Sequence, residues 1–383
     1  MYNTTPTKKT GRIISWVCGF LFVAFSAFYL YFMQADLLAT VQHVMSAGNT
    51  VYSPLWGMVV LVAVLLLLQG LWHKVLSFPL RFYALGYFPS CLALGLVTSA
   101  VPGGNGSVEW VANWWGISAC IVLYVVLVWI VKHFPDMKGG HSYVFSYLWP
   151  NFFLLFLLFI MTGSIADTND VRHYRLQVER LIAENQERKA LDVGRNSLHA
   201  DRGLTAMRAF VLSRTGAIGE RLFEYPQYYG SGGLMPELSD TIYVHGWTDS
   251  LYVHLGGKPG KGLSGPVEFL EVLSRLPSAT PAANDYLLCA LLLDKRLDDF
   301  AATLPRFYSL DGNLPLHYKE ALILYNRLRT SPTLTYKDAS VEANMDDFVR
   351  YEAQYSDSVE RANQCRRMYG HTYWWYYYYQ PLP

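Results

Sequence analysis

The stretch GMVVLVAVLLLLQGLW, residues 57–72, decides the fold class of this chain. Gln69 is its only polar side chain, and a helix of about 20 such residues spans the roughly 30 Å hydrocarbon core of a bilayer. Four further stretches of similar character occur in the first half of the sequence. The predicted spans are Ile13–Gln34, Leu55–Trp72, Phe82–Val101, Ala112–Val131 and Val144–Ile165. We therefore predict an all-α protein that begins with a five-helix transmembrane bundle.

Charge is distributed unevenly along the 383 residues. Residues 1–165 contain seven of the 31 Lys and Arg residues and three of the 30 Asp and Glu residues. We expect a transmembrane domain over residues 1–166, in contact with membrane lipid, and a water-soluble domain over residues 167–383. With a formal net charge of +1 and no basic block, the chain lacks the electrostatic footprint of a nucleic-acid-binding protein.

The positive charges of the membrane half lie in alternate loops. The N-terminal segment and the second-to-third and fourth-to-fifth connections carry all seven, and the other two loops carry none. Because Lys and Arg accumulate in cytoplasmic loops, we expect an inner-membrane protein with a cytoplasmic N-terminus and a periplasmic C-terminal domain. A cleavable signal peptide would explain the first stretch alone, but no clean small-residue cleavage site precedes the second. The seven charges are Lys8, Lys9, Arg12, Lys74, Arg81, Lys132 and Lys138.

The predicted spans contain almost no ionisable side chains, so we expect a packed anchor. Asp36 is a weak candidate catalytic residue, because it stands in the first external loop, where multi-span polyprenyl-sugar glycosyltransferases keep a catalytic carboxylate. The alternative is a solvated loop residue. His245 and His254 fit no zinc spacing, and GGKPGKG lacks the spacing of a phosphate loop. We expect no metal, no nucleotide and no other cofactor.

The second half has the periodicity of amphipathic helices. AFVLSRTGAIGERLFEYP from Ala209 and ALLLDKRLDDFAATLPRF from Ala290 share an apolar helix, a polar turn and a second helix. This arrangement is similar to degenerate tetratricopeptide-type repeats. We predict an extracytoplasmic α-helical repeat domain with a groove for a peptide or partner helix. Its predicted core contains Leu212, Leu222, Leu287, Leu291, Phe300, Leu304, Leu322 and Tyr325.

The chain ends in GHTYWWYYYYQPLP, residues 370–383. The segment before it places rings and apolar side chains from Phe348 to Tyr369 at helical intervals, which predicts one amphipathic stripe that the tail extends if the helix continues past Gly370. The rings could cap the open end of the helical array, contact a partner or the membrane interface, or remain disordered. The candidate partner-binding residues are Trp247, Tyr373, Trp374, Trp375, Tyr376 and Tyr377.

Two of the five cysteines, Cys289 and Cys365, would face an oxidising compartment. A disulfide between them is one possibility. The apolar run YLLCALLL indicates that Cys289 is a buried apolar residue. We therefore predict that the two thiols stay unpaired.

Three segments carry a resemblance to a known family: LDVGRNSLHADRGLTAMRAFVLSRTG from Leu191, ERLFEYPQ from Glu220 and YGHTYWWYYYY from Tyr369. Together with the spans, they resemble an uncharacterised family of multi-span inner-membrane proteins of Bacteroidota-type bacteria. The resemblance covers nearly the whole chain. It implies an anchored periplasmic domain of tetratricopeptide-like helices, and it brings no assigned activity.

Two function classes follow from these features. The first is a membrane-anchored interaction or assembly protein whose outer helical domain holds a protein partner of the envelope. The second is a membrane enzyme acting on a lipid-linked or envelope glycan through Asp36 or an outer-loop residue. A polar cavity lined by Asp36 and loop carboxylates would favour the enzyme, and a dry bundle with an open groove would favour the interaction protein.

Overall fold

The fold of the chain was analysed in a computed structural model. It describes residues 8–103, 107–133, 144–236, 246–260 and 265–383. The chain divides into two compact units, Met1–Asn169 and Asp170–Pro383. Both units are mainly helical. Lys138, His245 and parts of the GGKPGKG segment lie outside the described residues.

The first unit contains the apolar helices. Five helices are long and apolar enough to cross a membrane, as the hydropathy pattern predicts: Lys9–Met33, Pro54–Leu76, Leu80–Val97, Trp114–His133 and Phe145–Ile165. The α-helices are α1 (Lys8–Phe28), which continues into a π-helical turn (Tyr29–Met33), α2 (Ala35–Met45), α3 (Pro54–Leu76), α4 (Phe88–Val97), α5 (Trp114–His133) and α6 (Val144–Ile165).

The third apolar helix departs from the sequence prediction at both ends. Its first half, Leu80–Tyr87, is a 3₁₀ helix that leads into α4. Its second half ends at Val97 rather than Val101, because the Thr98 hydroxyl donates to the Leu94 carbonyl at 2.9 Å and closes the last turn. The chain then enters an antiparallel pair of short strands, β1 (Ala100–Pro102) and β2 (Val108–Trp110), with Val101 opposite Glu109.

The buried side chain of Asn151 completes the backbone hydrogen bonding of this 3₁₀ segment. Its Oδ1 accepts the Ala84 N–H at 2.7 Å, and its Nδ2 donates to the Leu80 carbonyl at 2.8 Å. An apolar environment offers no water to such groups, so an irregular backbone there needs a protein partner. One polar side chain on α6 therefore supports an irregular turn in a neighbouring apolar segment.

The second unit consists of helices joined mostly by short turns. Its α-helices are α7 (Asp170–Ala183), α8 (Glu187–Asp192), α9 (Arg202–Arg214), α10 (Ile218–Arg221), α11 (Trp247–Leu255), α12 (Pro266–Leu273), α13 (Pro281–Leu293), α14 (Leu297–Thr303), α15 (Leu316–Leu328), α16 (Ala339–Glu352), α17 (Ser358–Tyr369) and α18 (Tyr373–Tyr379). Short 3₁₀ helices follow at Leu222–Glu224, Gly230–Leu234 and Leu304–Arg306.

One turn geometry recurs three times between a long helix and a short one. Asn185, Gly216 and Lys295 each adopt a left-handed backbone conformation, with φ of 55°, 68° and 57°. In each case the next residue donates its N–H to the carbonyl five positions earlier at 2.8 Å, which is a Schellman-type helix end. The two similar segments that begin at Ala209 and Ala290 therefore share a turn as well as a residue pattern.

The predicted core of the second unit is confirmed. All eight predicted side chains are buried in one hydrophobic cluster. Helix α13 lies at its centre, with every residue from Tyr286 to Leu293 buried. Cys289 and Cys365 belong to the same cluster and are both free thiols, as predicted.

The prediction of one continuous helical stripe before the tail is wrong. Helix α16 ends at Glu352, and α17 begins afresh after Asp357, whose carboxylate accepts the Glu360 N–H at 2.8 Å. This cap starts a new helix, in which the side chain of Val359 is exposed to solvent. The tail forms a third helix, α18, which Thr372 caps by accepting the Trp375 N–H at 3.3 Å.

Candidate functional site

Five of the six candidate partner-binding rings are buried, and the sixth, Tyr377, is partly buried against the same core. Rings in such positions stabilise the fold and present little surface to a partner. Two of them, Trp375 and Tyr376, also line a cavity of the second unit. The tail therefore belongs to the domain and forms one wall of its candidate site.

The cavity has a volume of about 330 Å³ and three walls. The first wall is the loop Arg195–Leu198 between α8 and α9, and the second is the segment Phe223–Tyr228 after α10. The third wall runs from Arg366 at the end of α17 to Gln380 after α18. These walls come from distant parts of the sequence, so the fold itself builds the cavity.

A buried arginine holds the first wall in place. Arg208 of α9 donates from Nη2 to the carbonyls of Val193 and Gly194, both at 3.0 Å, directly before the lining residue Arg195. Its guanidinium lies over the ring of Tyr225 in the second wall, 4.9 Å from the centroid. Burial lowers the pKa of Arg208. Arg208 thus connects two walls without lining the cavity.

Lys295 and Tyr376 fix the third wall to the turn after α13. The Lys295 Nζ donates to the Gln380 carbonyl at 2.6 Å, and the Tyr376 hydroxyl donates to the Leu293 carbonyl at 2.7 Å. The Lys295 ammonium also lies over the ring of Tyr377. Burial lowers the pKa of Lys295. The left-handed turn at Lys295, which recurs elsewhere in this unit, therefore holds α18 in place.

Arg366 joins the second and third walls. Its Nη2 donates to the Tyr228 hydroxyl at 3.1 Å, and its guanidinium lies 5.3 Å from the ring centroid of Trp375. The Tyr228 hydroxyl donates in turn to the Leu198 carbonyl of the first wall at 2.8 Å. Arg366 is therefore held at the cavity by an aromatic pair, with further N–H groups left to donate.

The lining carries an excess of positive charge. Glu224 accepts hydrogen bonds from Arg221 at 3.0 and 2.9 Å and from Arg195 at 3.1 Å. Burial opposes its ionisation, but the Arg221 hydrogen bond and both arginine charges outweigh this and lower the pKa of Glu224. Within the described residues, neither Arg366 nor Arg367 forms an ion pair. Both guanidinium groups are thus available to an anion.

Two buried polar atoms of the lining have no protein partner. Gln227 is 5% exposed and Trp375 is 9% exposed. The Gln227 Oε1 accepts no hydrogen bond, and the Trp375 Nε1–H finds no acceptor within the described chain. An unsatisfied buried polar group costs about 1–3 kcal/mol. Both atoms lie inside the wall with no solvent-accessible surface, so the accessible polar groups of the lining are the arginines.

The three segments that carry the family resemblance meet at this cavity, and the family match covers them. The model of a family of unknown function (DUF6057) matches residues 2–258 and 267–380. The chain belongs to the DUF6057 family. No curated protein and no solved structure matches it. The DUF6057 match covers all three walls of the cavity.

Asp36, the candidate catalytic residue, lies elsewhere in the DUF6057 chain. It is half-buried in the first turn of α2, in the first unit. Among the described residues, no group of three or more His, Cys, Asp or Glu side chains could hold a metal ion.

Sequence reasoning missed the residues that give the cavity its chemistry. Arg195 and Gln227 lie in two of the segments that carry the family resemblance, which assigns them no role, and Arg366 and Tyr228 are 138 positions apart. The available signal was compositional, since Arg366 and Arg367 lie shortly before the aromatic tail that begins at Gly370. That pair is typical of a helix C-terminus, where cations are stabilised by the helix dipole, so the sequence alone favours the structural explanation.

Proposed function

We propose that this DUF6057 chain is a membrane-anchored interaction protein that binds a protein partner of the cell envelope in the cavity of its second unit. The five apolar helices would anchor it in the inner membrane. The seven-to-zero distribution of Lys and Arg supports a cytoplasmic N-terminus and a periplasmic second unit. The recurring helix pairs support a tetratricopeptide-like domain, a type of scaffold that offers concave surfaces to peptides.

The observation that carries the proposal is the composition of the cavity. Arg366 and Arg367 lack ion-pair partners among the described residues, and the Arg366 guanidinium lies over the ring of Trp375 in the same lining. Binding sites combine an enclosed surface with a few placed polar groups of this kind. The lining carboxylate, Glu224, is engaged by Arg221 and Arg195.

Site-specific photocrosslinking in the native membrane tests the proposal. A photoreactive phenylalanine analogue replaces Leu198, an exposed residue of the first wall, and in a matched variant it replaces Val253, an exposed residue of α11. We expect a discrete crosslinked envelope protein at position 198 and none at position 253. The proposal fails if both positions yield the same adducts, or if position 198 yields none although the protein is inserted at its normal level.

A further inference from the structure

We propose that the first unit binds the headgroup of an anionic phospholipid between the first turns of α1 and the 3₁₀ helix Leu80–Tyr87. The inference is independent of the cavity in the second unit and of the function proposed for it. Three exposed cations carry it: Arg12 of α1, Lys74 near the end of α3 and Arg81 of the 3₁₀ helix. These three residues are called the basic cluster below.

Tyr83 of the 3₁₀ helix connects the three elements that carry the basic cluster. Its hydroxyl lies 2.9 Å from the Ser15 Oγ of α1, and its ring centroid lies 4.4 Å from that of His73 of α3. Each member of the cluster lies within three residues of Tyr83 or of one of these two contacts. The fold therefore gathers cations from three elements at one end of the first unit.

The backbone of α1 lies close to the 3₁₀ helix at the level of the two arginines. A methyl group added at Gly11 would lie 3.4 Å from the Leu80 side chain. Arg12 and Arg81 directly follow these two residues, and both are exposed. Arginine guanidinium groups bind phosphate oxygens through charge-assisted hydrogen bonds. Neighbouring arginines on two elements thus supply donors for one phosphate group.

The basic cluster has no acidic partner in the part of the chain that the structure describes. None of its three members forms an ion pair there. The Asp167 N–H donates to the Thr98 carbonyl at 3.1 Å, and the Tyr29 hydroxyl lies 3.4 Å from the Thr98 hydroxyl, so the opposite ends of α1, α4 and α6 meet. The acids described in this unit lie at that opposite end, and Asp136 lies outside the described residues: Asp36, Glu109 and Asp167.

The exposed face of α1 next to Arg12 is apolar. Trp16 and Phe20 follow Arg12 at intervals of four residues, so the three side chains share one face of the helix. The two rings are 78% and 71% exposed. At the end of a membrane helix, a cation lies at the level of the headgroups, Trp lies at the boundary and apolar side chains contact the acyl chains. A phospholipid presents its phosphate and its acyl chains in that order, whereas a free anion would use the basic cluster alone.

Membrane topology alone explains less of this arrangement. Insertion in a fixed orientation requires only that the positive charges lie on one side of the bilayer. It does not require that three elements bring their charges to the contacts of one ring, that of Tyr83. Zwitterionic phospholipids also carry a phosphate, but their cationic group cancels its charge. Anionic lipids keep a net negative charge that Lys and Arg attract, so the basic cluster favours an anionic headgroup.

Native mass spectrometry of the full-length protein in detergent micelles tests the inference. The probe is phosphatidylglycerol, supplied with an equimolar amount of phosphatidylcholine that carries the same acyl chains. We expect phosphatidylglycerol adducts to exceed phosphatidylcholine adducts by about fivefold or more, because each cation near a headgroup contributes to the attraction. Arg12→Gln and Arg81→Gln should each reduce the phosphatidylglycerol adducts by about fivefold and leave the phosphatidylcholine adducts unchanged.

Lys132→Gln is the charge-matched control, because Lys132 is exposed in the last turn of α5 and lies outside the basic cluster. It should bind phosphatidylglycerol at the parental level. Arg81→Gln keeps the test informative if Arg12→Gln fails to insert. Equal binding of the two lipids, or unchanged phosphatidylglycerol binding in Arg81→Gln, overturns the inference. The same loss in Lys132→Gln as in the arginine variants also overturns it, since a diffuse positive field would then account for the binding. Displacement of phosphatidylglycerol by equimolar inorganic phosphate overturns it as well, because the site would then take a free anion.

Discussion

Tyr373 donates its backbone N–H to the Glu320 carboxylate at 2.8 Å, although the two residues are 53 positions apart. The same carboxylate oxygen contacts His317 Nδ1 at 2.9 Å, and both side chains are buried. The first N–H groups of a helix have no partner within the helix. Glu320 of α15 therefore provides the hydrogen-bond acceptor that the first turn of α18 lacks. This hydrogen bond attaches the aromatic tail to the core.

We expect Glu320→Ala to lower the free energy of unfolding by about 1–3 kcal/mol, because it leaves the buried Tyr373 N–H without an acceptor. Hydrogen exchange followed by mass spectrometry should show faster exchange in α18 than in α13. Asp311→Ala, in an exposed loop, is the matched loss of a carboxylate and should leave both measurements unchanged. Normal protection of α18 in Glu320→Ala would show that the ring packing alone fixes the tail.

Leu291→Ala and Phe300→Ala should each cost about 2–5 kcal/mol, because both side chains are fully buried and their truncation leaves a cavity. Urea unfolding of the full-length protein in detergent, followed by circular dichroism, measures the change. Val253→Ala removes an exposed apolar side chain and should stay within about 0.5 kcal/mol of the parent. Similar midpoints for Leu291→Ala and Val253→Ala would contradict the central position of α13.

The contrast between Leu291 and Arg366 shows which parts of the structure could be predicted from the sequence. Leu291 lies in a run of apolar residues whose periodicity predicts a buried helix, and that signal is local. Arg366 acquires its role from Tyr228 and Trp375, and no spacing rule relates α17 to a loop 138 positions earlier. Helices and core were therefore predictable, whereas the cavity depends on tertiary contacts that the pattern does not encode.

The ends of the helices also depend on tertiary contacts and caps that the hydropathy pattern does not predict. The hydropathy of residues 82–101 is uniform enough to predict one α-helix, but the 3₁₀ geometry depends on Asn151, 67 positions from its partner Ala84. The break between α16 and α17 depends on Asp357, whose capping role competes with a continuing helical stripe. In both places one polar side chain overrides an apolar pattern.

Asp285 makes stability depend on pH. Its Oδ1 accepts hydrogen bonds from Tyr308 at 2.7 Å and Tyr318 at 3.0 Å, yet burial raises its pKa above the ordinary 3.8. The fold therefore favours the protonated acid, so this contribution is complete below about pH 3.8 and is lost as pH rises through the folded pKa. Asp285→Asn cannot ionise. We expect its unfolding free energy, relative to the parent, to increase between about pH 3 and pH 7.

Urea titrations of both proteins across that pH range measure the difference. Asp311→Asn, at an exposed acid, controls for changes in net charge and should follow the parent at every pH. A difference between Asp285→Asn and the parent that stays constant with pH would show that Asp285 titrates alike in the folded and unfolded chains.

The proposed orientation predicts the behaviour of reporter fusions. A reporter that works only outside the cytoplasm should be active when fused after Pro383, and a cytoplasm-dependent reporter should be inactive there. Neutralising Lys74 and Arg81 together should not invert the chain, because the other five charges still favour the same orientation. An active cytoplasmic reporter at Pro383 would overturn both the five-span topology and the periplasmic assignment.

Asn151→Leu should loosen the apolar bundle of the first unit, although leucine fills a similar volume. The substitution leaves the Ala84 N–H and the Leu80 carbonyl without partners in an apolar environment, at a cost of about 1–3 kcal/mol for each group. Cys91, a free and fully buried thiol of α4, reports the change. Maleimide labelling in detergent, with the modified peptide identified by mass spectrometry, should be faster at Cys91 in Asn151→Leu than in the parent. Ser164→Ala removes a hydroxyl that bonds only within α6 and should label at the parental rate, so equal rates in all three proteins would show that the 3₁₀ segment holds without Asn151.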